Sequence, residues 1–205
     1  QTTANEKSVG GNFDLNYRTR IGDVGIAVNQ LFFYTRLNDP LVLTSSNNAF
    51  QFLNADGHID TKGAETNLRF SYEDFKLFVG YTYADVNSYY NDEKSWFPLT
   101  ARHRLNNVLM YEKDEKLKIG LEAYYFSPQK LNDGAIGKSY WTFGLMGEKS
   151  WEKISLFLNF ENFTDTRQTR FDNIFTGSVN NPVFRDIYAP VDGFVINGGV
   201  QIRFL

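Results

Sequence analysis

Several features that mark a chemical site are missing from this sequence. It has no cysteine, which excludes disulfides and metal centres built on thiolates. Its two histidines, His58 and His103, are far apart and have no acidic residues at ligand spacing. The motifs of serine hydrolases, zinc proteases and nucleotide-binding loops are also absent. We therefore expect no enzyme, no catalytic or metal site, and no cofactor.

The sequence also lacks a long hydrophobic run and an excess of basic residues. A helix that crosses a membrane needs ~18 or more consecutive apolar residues, and no segment provides them. Residues 1–5 lack the basic start and apolar stretch of a signal peptide, so we expect a mature chain or a fragment. The formal net charge of -3 argues against a nucleic-acid partner, which would require a basic face.

What the sequence does contain is many aromatic residues in a polar background. Aromatic residues make up 17% of the chain, yet charged residues reach 22% and the mean hydropathy is -0.40. A transmembrane β-barrel combines these properties, because lipid-facing and lumen-facing residues alternate along each strand. Aromatic residues gather at the two membrane interfaces of such barrels, and we assign Tyr111, Tyr140 and Trp151 to these positions.

Apolar and polar residues alternate with period two over long segments, which places them on opposite faces of strands. In residues 12–21 the apolar face consists of Phe13, Leu15, Tyr17, Thr19 and Ile21. The alternation predicts hairpins over about residues 12–35, 65–84, 104–127 and 141–161, and a last strand over 194–204. Tight turns are predicted at 22–23, 73–74, 114–115 and 151–152.

Long polar linkers alternate with these turns, at about residues 37–60, 87–101, 127–138 and 163–193. Outer-membrane barrels show this asymmetry, with short periplasmic turns and long extracellular loops. We predict an all-β fold: an antiparallel up-and-down transmembrane β-barrel, to which this chain supplies about nine strands. Self-contained bacterial barrels have an even number of strands, so an odd number indicates a partial barrel.

A soluble β-sandwich is the alternative explanation of the alternation. Sandwich strands are usually ~5–6 residues long, shorter than the segments found here. The predicted inner face also carries charged residues that suit a wetted lumen better than a closed core. These residues include Arg18, Arg20, Glu65, Arg69, Lys118, Glu122 and Arg203.

Segments near the end of the chain resemble TonB-dependent receptors. Residues 159–168, with the sequence NFENFTDTRQ, are similar to the element that closes the penultimate strand in that family. Residues 187–194, with the sequence IYAPVDGF, resemble the family's closing pattern, in which a Pro and a Gly precede the final strand. That strand ends here in Phe204, and the segment Gly63-Ala64-Glu65 is similar to a strand entry in such receptors.

This resemblance implies the location and the partners of a larger receptor. Residues 1–205 would be the C-terminal part of its barrel, with the plug domain and the N-terminal strands absent. The receptor would lie in the cell outer membrane as a multi-pass barrel, in contact with lipid and lipopolysaccharide. Its missing part would contact the TonB-ExbB-ExbD complex, and its cargo would be a small molecule. Carbohydrate importers of the same broad family also work with a surface lipoprotein.

Binding is expected in the extracellular loops and the upper lumen. Aromatic rings stack and arginines donate charge-assisted hydrogen bonds, a combination suited to an anionic, aromatic-rich iron chelate. The candidate residues are Tyr89, Tyr90, Trp96, Phe97, Tyr124, Phe126, Arg167, Arg170, Phe171 and Arg185.

A structural role for the same residues is the alternative. The rings would then pack the loops together, and the arginines would pair with Asp172, Asp186 or lipopolysaccharide phosphates. Calcium binding by Asp92 and Glu93, or by Asp165, is disfavoured because the oxygen ligands are not spaced as in a dedicated site.

We therefore predict active import of a scarce nutrient across the outer membrane, with energy from the TonB system. An iron chelate such as a siderophore is the expected cargo, and cobalamin or a glycan stays open. The alternative is a small self-standing barrel acting as a porin, an adhesin or an envelope hydrolase. A hydrolase would place a histidine with Asp or Ser near the rim, and the sequence offers His103 no such partner.

Overall fold

The computed structural model describes residues 3–46, 49–90, 93–114 and 116–204, which form strands almost throughout. In chain order the elements are β1 Lys7–Ile21, β2 Val24–Asn38, β3 Leu41–Ser46, β4 Ala49–Asn54, β5 Gly57–Tyr72, β6 Phe75–Tyr90, β7 Glu93–Trp96, β8 His103–Lys113, β9 Leu117–Phe126, β10 Tyr140–Ser150, β11 Ile154–Glu161, α1 Gln168–Phe171, β12 Phe175–Ser178, β13 Asn181–Phe184 and β14 Val195–Ile202.

Nine of these strands form one antiparallel sheet in the order β1-β2-β5-β6-β8-β9-β10-β11-β14. Each strand pairs with the next long strand along the chain, which is the up-and-down connection predicted from the alternation. The short strand β7 adds to the far end of β6. Within the described residues, β1 and β14 each pair on one side alone, so the sheet does not close into a barrel.

The tight turns at 22–23, 73–74 and 151–152 lie at the predicted places, while Glu115 of the predicted turn at 114–115 lies outside the described residues. Strands β1 and β2 are joined by Gly22 and Asp23, and β5 and β6 by Glu73 and Asp74. Gly22 and Glu73 have positive φ angles of 58° and 48°, which reverse the chain within two residues. All long connections leave the opposite end of the sheet, as expected for an outer-membrane barrel.

The first two linkers are shorter than the sequence indicated. Strand β2 runs to Asn38 and β5 starts at Gly57, while β3 and β4 form a hairpin between them. Strand β6 extends to Tyr90, so Tyr89 and Tyr90 belong to a strand rather than to a loop. A strand with water on both faces needs no apolar face, so the alternation of apolar and polar residues gave no signal for these strand ends.

The last linker, residues 162–194, contains regular structure that the sequence did not reveal. Residues Gln168–Phe171 form a single helical turn, and β12 and β13 form a short hairpin. A helix of four residues is too short to produce a helical period in the sequence, which explains why no helix was predicted in this linker.

One face of the sheet is apolar from strand to strand. Leu77 is aligned with Leu109, Leu109 with Leu121, and Leu121 with Leu145. All four side chains are more than a third exposed, so this row forms an apolar belt on the surface. The described residues contain no helix long and apolar enough to cross a membrane.

Gln30 interrupts this apolar face and has a specific partner. Its side-chain oxygen accepts a hydrogen bond from the Thr66 hydroxyl at 2.7 Å, and its amide nitrogen donates to the Glu65 carbonyl at 3.1 Å. The interruption therefore leaves no unpaired amide on a surface that faces lipid in a closed barrel.

The opposite face is polar and hydrogen-bonded across strands. Asn29 donates to Asp14 at 2.6 Å, and Lys76 donates to Glu112 at 2.5 Å. Asn159 donates to Asn197 at 3.0 Å near the other edge of the sheet. This face lines the lumen in a closed barrel, and its polarity agrees with the charged inner face predicted from the sequence.

Candidate functional site: the joined loops and the luminal wall

The best-packed apolar cluster lies in the long loops and not on the sheet. Leu131 is 1% exposed, and Tyr188 and Ala189 are 7% exposed. Tyr140 and Phe171 pack against this cluster. Leu131 belongs to the loop of residues 127–139, called the third loop, and Tyr188 to the loop of residues 162–194, called the fourth loop. We call the two together the joined loops.

Gln168 organises the fourth loop from within. Its side chain is completely buried, and both ends of its amide are satisfied. The Oε1 atom accepts the backbone N–H groups of Tyr188 at 2.8 Å and Ala189 at 3.1 Å. The Nε2 atom donates to the Asp186 carbonyl at 2.9 Å, so the one-turn helix is fixed to residues 186–189.

Tyr188 connects the fourth loop to the third. Its ring covers Gly137, where a β-carbon would lie 2.7 Å from the ring. Its hydroxyl accepts the backbone N–H of Lys138 at 2.8 Å and donates to Asp172 at 2.7 Å. Its carbonyl accepts the hydroxyl of Tyr140 at 2.9 Å. Burial, and then the bond to the Asp172 carboxylate, raise the pKa of Tyr188 to about 12.

Charged side chains add a second set of contacts between these loops. Arg185 reaches Asp133 of the third loop at 3.1 Å and Asp172 of its own loop at 3.3 Å. Asp186 accepts the backbone N–H of Asn132 at 2.5 Å and its side-chain amide at 3.0 Å. The backbone N–H of Ala135, followed by Arg185, lowers the pKa of the Asp133 carboxyl below its ordinary value.

The base of the fourth loop is closed by the residues that carried the family resemblance. The Asn162 side chain accepts the backbone N–H of Thr166 at 3.0 Å and donates to the carbonyls of Thr166 at 2.8 Å and Asp192 at 3.3 Å. Gly193 lies so close to the Asp165 carboxylate that a β-carbon would collide with it. The asparagine and the glycine therefore join the two ends of the loop.

The predicted arginines are all engaged by carboxylates. Arg167 donates to Asp165 at 2.9 Å, and Arg170 pairs with the same carboxylate. Arg185 is held between Asp133 and Asp172, and the pairing with Asp172 was named above as the structural alternative. Asp92 lies outside the described residues, and Asp165 is occupied by arginines.

The predicted aromatic residues fall into two groups. Phe126 stacks on Tyr140 at 5.0 Å between ring centroids, and Phe171 lies 6.3 Å from the same ring, so Phe126 borders the joined loops and Phe171 belongs to them. Tyr140, which we assigned to a membrane interface, instead donates to the Tyr188 carbonyl. Tyr124 lies on the luminal face and donates to Glu122 at 2.9 Å.

The second group lies around β6 and β7. Tyr89 stacks on His58 at 4.7 Å, with the Lys94 ammonium 5.6 Å from its ring. Tyr89 and Trp96 share the strand face of the apolar belt, whereas Tyr90 lies on the luminal side. Phe97 donates its backbone N–H to Val86 at 2.9 Å, so it continues the pairing of β7 with β6.

A cavity of about 650 Å³ lies on the luminal wall below the fourth loop. Its lining includes Glu122, Tyr124, Asn159, Glu161 and Asp192. The alternation placed Glu122 and Glu161 on the inner face, but their convergence depends on strand register and could not be predicted. In the described part of the chain, no group of three or more His, Asp or Glu side chains is arranged to hold a metal ion.

The structure has the features of the wall of a transmembrane β-barrel: an up-and-down antiparallel sheet with an apolar outer belt, a polar inner face and long loops at one end. The sequence matches the family model described as TonB dependent receptor-like, beta-barrel, over residues 6–163. The chain belongs to this family, as its closing motifs had suggested. No curated protein matches the sequence.

Solved structures give the same fold. The FrpB iron transporter of Neisseria meningitidis, in its apoprotein form, matches 98% of this chain with a TM-score of 0.69 at 16% identity. The ferric yersiniabactin uptake receptor FyuA of Yersinia pestis matches 98% of the chain, with a TM-score of 0.68 at 16% identity. The copper transporter OprC matches 97% of the chain, with a TM-score of 0.69 at 15% identity. This chain covers 32%, 30% and 32% of those proteins, so it spans about a third of their length.

Proposed function

We propose that this chain forms the C-terminal wall of a TonB-dependent transporter that imports an iron chelate across the outer membrane. The observation that carries the proposal is a polar luminal wall, with a cavity of about 650 Å³, in a chain of the TonB-dependent receptor family. The plug domain and the remaining strands would belong to the rest of the polypeptide. The names of FrpB and FyuA support iron as cargo, since they describe an iron transporter and a ferric yersiniabactin receptor.

In this proposal the luminal wall contacts the cargo directly. Tyr124 offers a ring for stacking and a hydroxyl that donates to Glu122, while Asn159 and Glu161 offer further hydrogen-bonding groups. The arginines would play a smaller role than the sequence suggested, because carboxylates already neutralise them. A chelate with amide or hydroxyl groups at its surface fits this wall better than a strongly anionic one.

The test is uptake by the full-length receptor in cells that lack other receptors for ferric chelates. We expect uptake of ⁵⁵Fe from at least one catecholate or hydroxamate chelate, and we expect it to require functional TonB. Tyr124→Ala should raise the half-saturating chelate concentration about tenfold, because truncating a stacked ring in a binding site costs ~1–3 kcal/mol.

Tyr72→Ala is the matched control, since Tyr72 lies on the apolar face at the tight-turn end of β5. This variant should transport like the wild type. If no chelate of the panel enters in a TonB-dependent manner, the proposed cargo is wrong.

A glycan is the second candidate cargo, and the same wall favours it. Carboxylates, amides and hydroxyls are the groups that bind sugar hydroxyls, and Glu122, Glu161 and Asn159 provide them. TonB-dependent uptake of a labelled oligosaccharide, with no uptake of iron, would select this candidate.

A further inference from the structure

We infer that the third and fourth loops are one preassembled body, with Gln168 and Tyr188 as its positioning residues. Any movement that admits cargo between the loops would then take place elsewhere, with the joined loops as a fixed wall. The claim that the loops form one body is independent of the proposed function, whereas its consequence for cargo entry rests on that function.

The contacts between the loops are of three physical kinds. Apolar packing buries Leu131 and Tyr188 together. Hydrogen bonds connect Tyr188 to Lys138 at 2.8 Å, partly buried, and to Gln129 at 3.3 Å, buried. Ion pairs and charge-assisted bonds lie at the surface of the same interface, through Arg185. A separation of the loops would expose all three kinds of contact at once, which makes partial opening unfavourable.

Gln168 has the strongest structural role because it has no contact with water. Its amide holds residues 186–189 in the position from which Tyr188 reaches the third loop. Removing that amide would leave three backbone groups unpaired in a buried site, two N–H donors and one carbonyl. Loss of the Gln168 amide should therefore loosen the third loop as well as the fourth.

The first loop, residues 39–56, is built differently. In its hairpin β3–β4, Leu43 is 57% exposed and Phe52 is 56% exposed. Among the described residues, its hydrogen bonds outside the loop and its flanking strands go to the segment before β1, from Leu41 to Glu6 at 2.7 Å and between Asn54 and Ala4. In the part of the chain that the structure describes, no hydrogen bond or ion pair joins it to the joined loops.

Hydrogen–deuterium exchange of the purified full-length receptor tests the single body without any cargo. In the wild type, the amides of Lys138, Tyr188 and Ala189 should exchange slowly. Gln168→Leu should speed exchange about tenfold or more in both segments, 129–138 and 186–190, because a buried hydrogen-bond network is lost. Tyr188→Phe removes a single hydroxyl and should speed both segments to a smaller degree.

Tyr125→Phe is the matched control, since Tyr125 lies next to the third loop on the apolar face, with its ring 5.0 Å from that of Trp141. It should leave both segments unchanged. Faster exchange of residues 186–190 alone in Gln168→Leu and Tyr188→Phe, with residues 129–138 unaffected, would overturn the inference.

A disulfide between the loops tests the consequence for transport. Asn132→Cys combined with Asp186→Cys places two thiols where the wild-type side chains are hydrogen-bonded, in a segment that has no other cysteine. We expect TonB-dependent ⁵⁵Fe-chelate uptake by the oxidised form to stay within about twofold of the reduced form, as for a fixed wall. A large loss of uptake on oxidation, restored by a reductant, would show that the loops must separate. Absence of uptake in the wild type would instead count against the proposed function and leave the exchange result standing.

Discussion

At the scale of single residues, polar side chains decide how the loops fold. Gln168 is polar yet fully buried, and it is stable there because each of its amide atoms has a partner. Tyr188 combines a ring that fills space above Gly137 with a hydroxyl that both accepts and donates. Neither residue was among the sequence-based candidates, although the apolar stretch around Tyr188 in a polar linker was a usable signal.

The Tyr188 hydroxyl should titrate near pH 12, above the ordinary value of 10.0. A raised folded-state pKa means that the neutral phenol stabilises the joined loops. This contribution is present below pH 10 and is lost as the pH rises through about 12. The measurement is ¹³C NMR of Tyr Cζ atoms in the detergent-solubilised receptor, with Tyr188→Phe to assign the signal.

Asp172→Asn provides the comparison, because the Asp172 carboxylate is the second cause that raises the pKa. The signal should then titrate at a lower pH than in the wild type. Titration of Tyr188 at the ordinary value in the wild type would show that the residue is not buried between the loops.

At the scale of elements, each long strand presents one face to lipid and the other to the lumen, and polar groups on the lipid face need partners. The pair of Gln30 on β2 and Thr66 on β5 satisfies this need across two neighbouring strands. A hydrogen bond of this kind adds little net stability, but its loss is destabilising because it leaves an unpaired amide in hydrocarbon.

Thr66→Val should destabilise the full-length barrel by ~1–3 kcal/mol, because the Gln30 oxygen loses its donor. The double substitution Gln30→Leu with Thr66→Val should recover most of that loss, since both polar groups are then gone. Urea unfolding of the receptor in lipid vesicles would measure both variants against the wild type. A double variant as unstable as the single one would show that the pair is not needed to protect an amide from lipid.

At the scale of the whole molecule, an introduced charge should have opposite effects on the two faces of the sheet. Leu109 and Val108 are neighbours on β8, yet Leu109 aligns with Leu77 and Leu121 in the apolar belt, whereas Val108 aligns with Glu122 on the luminal side. Leu109→Arg should cost ~2–4 kcal/mol because the charge would enter the lipid near the middle of the bilayer.

Val108→Arg is the matched control and should be tolerated, because Glu122 can pair with the new charge. Heat-modifiable migration of the receptor in gels reports whether the barrel has assembled. Equal tolerance of both substitutions would contradict the assignment of the faces.

The sheet could be predicted from the sequence because lipid and water impose a strict period of two on each membrane-crossing segment. The predicted turn at Gly22 and the outward row of Leu77 and Leu109 follow directly from that period. The hairpin β3–β4 and the end of β6 at Tyr90 could not be predicted, since strands in water have no such requirement.

The joined loops were beyond prediction for a different reason. Gln168 and Tyr188 are 20 residues apart, and Tyr188 and Lys138 are 50 apart, so their contacts depend on the folded loops and not on a local pattern. The binding candidates Tyr124, Phe126 and Phe171 were chosen by residue type, and their role stays a prediction.

The interlocked loops limit how such a receptor can acquire a new specificity. Asn132, Asp133 and Lys138 of the third loop contact Asp186, Arg185 and Tyr188 of the fourth loop, respectively. A graft that replaces the third loop alone with the corresponding loop of a relative would place foreign side chains opposite Arg185 and Asp186. The two loops should therefore be exchanged as a pair in chimeric receptors, and a change in the length of one requires a matching change in the other.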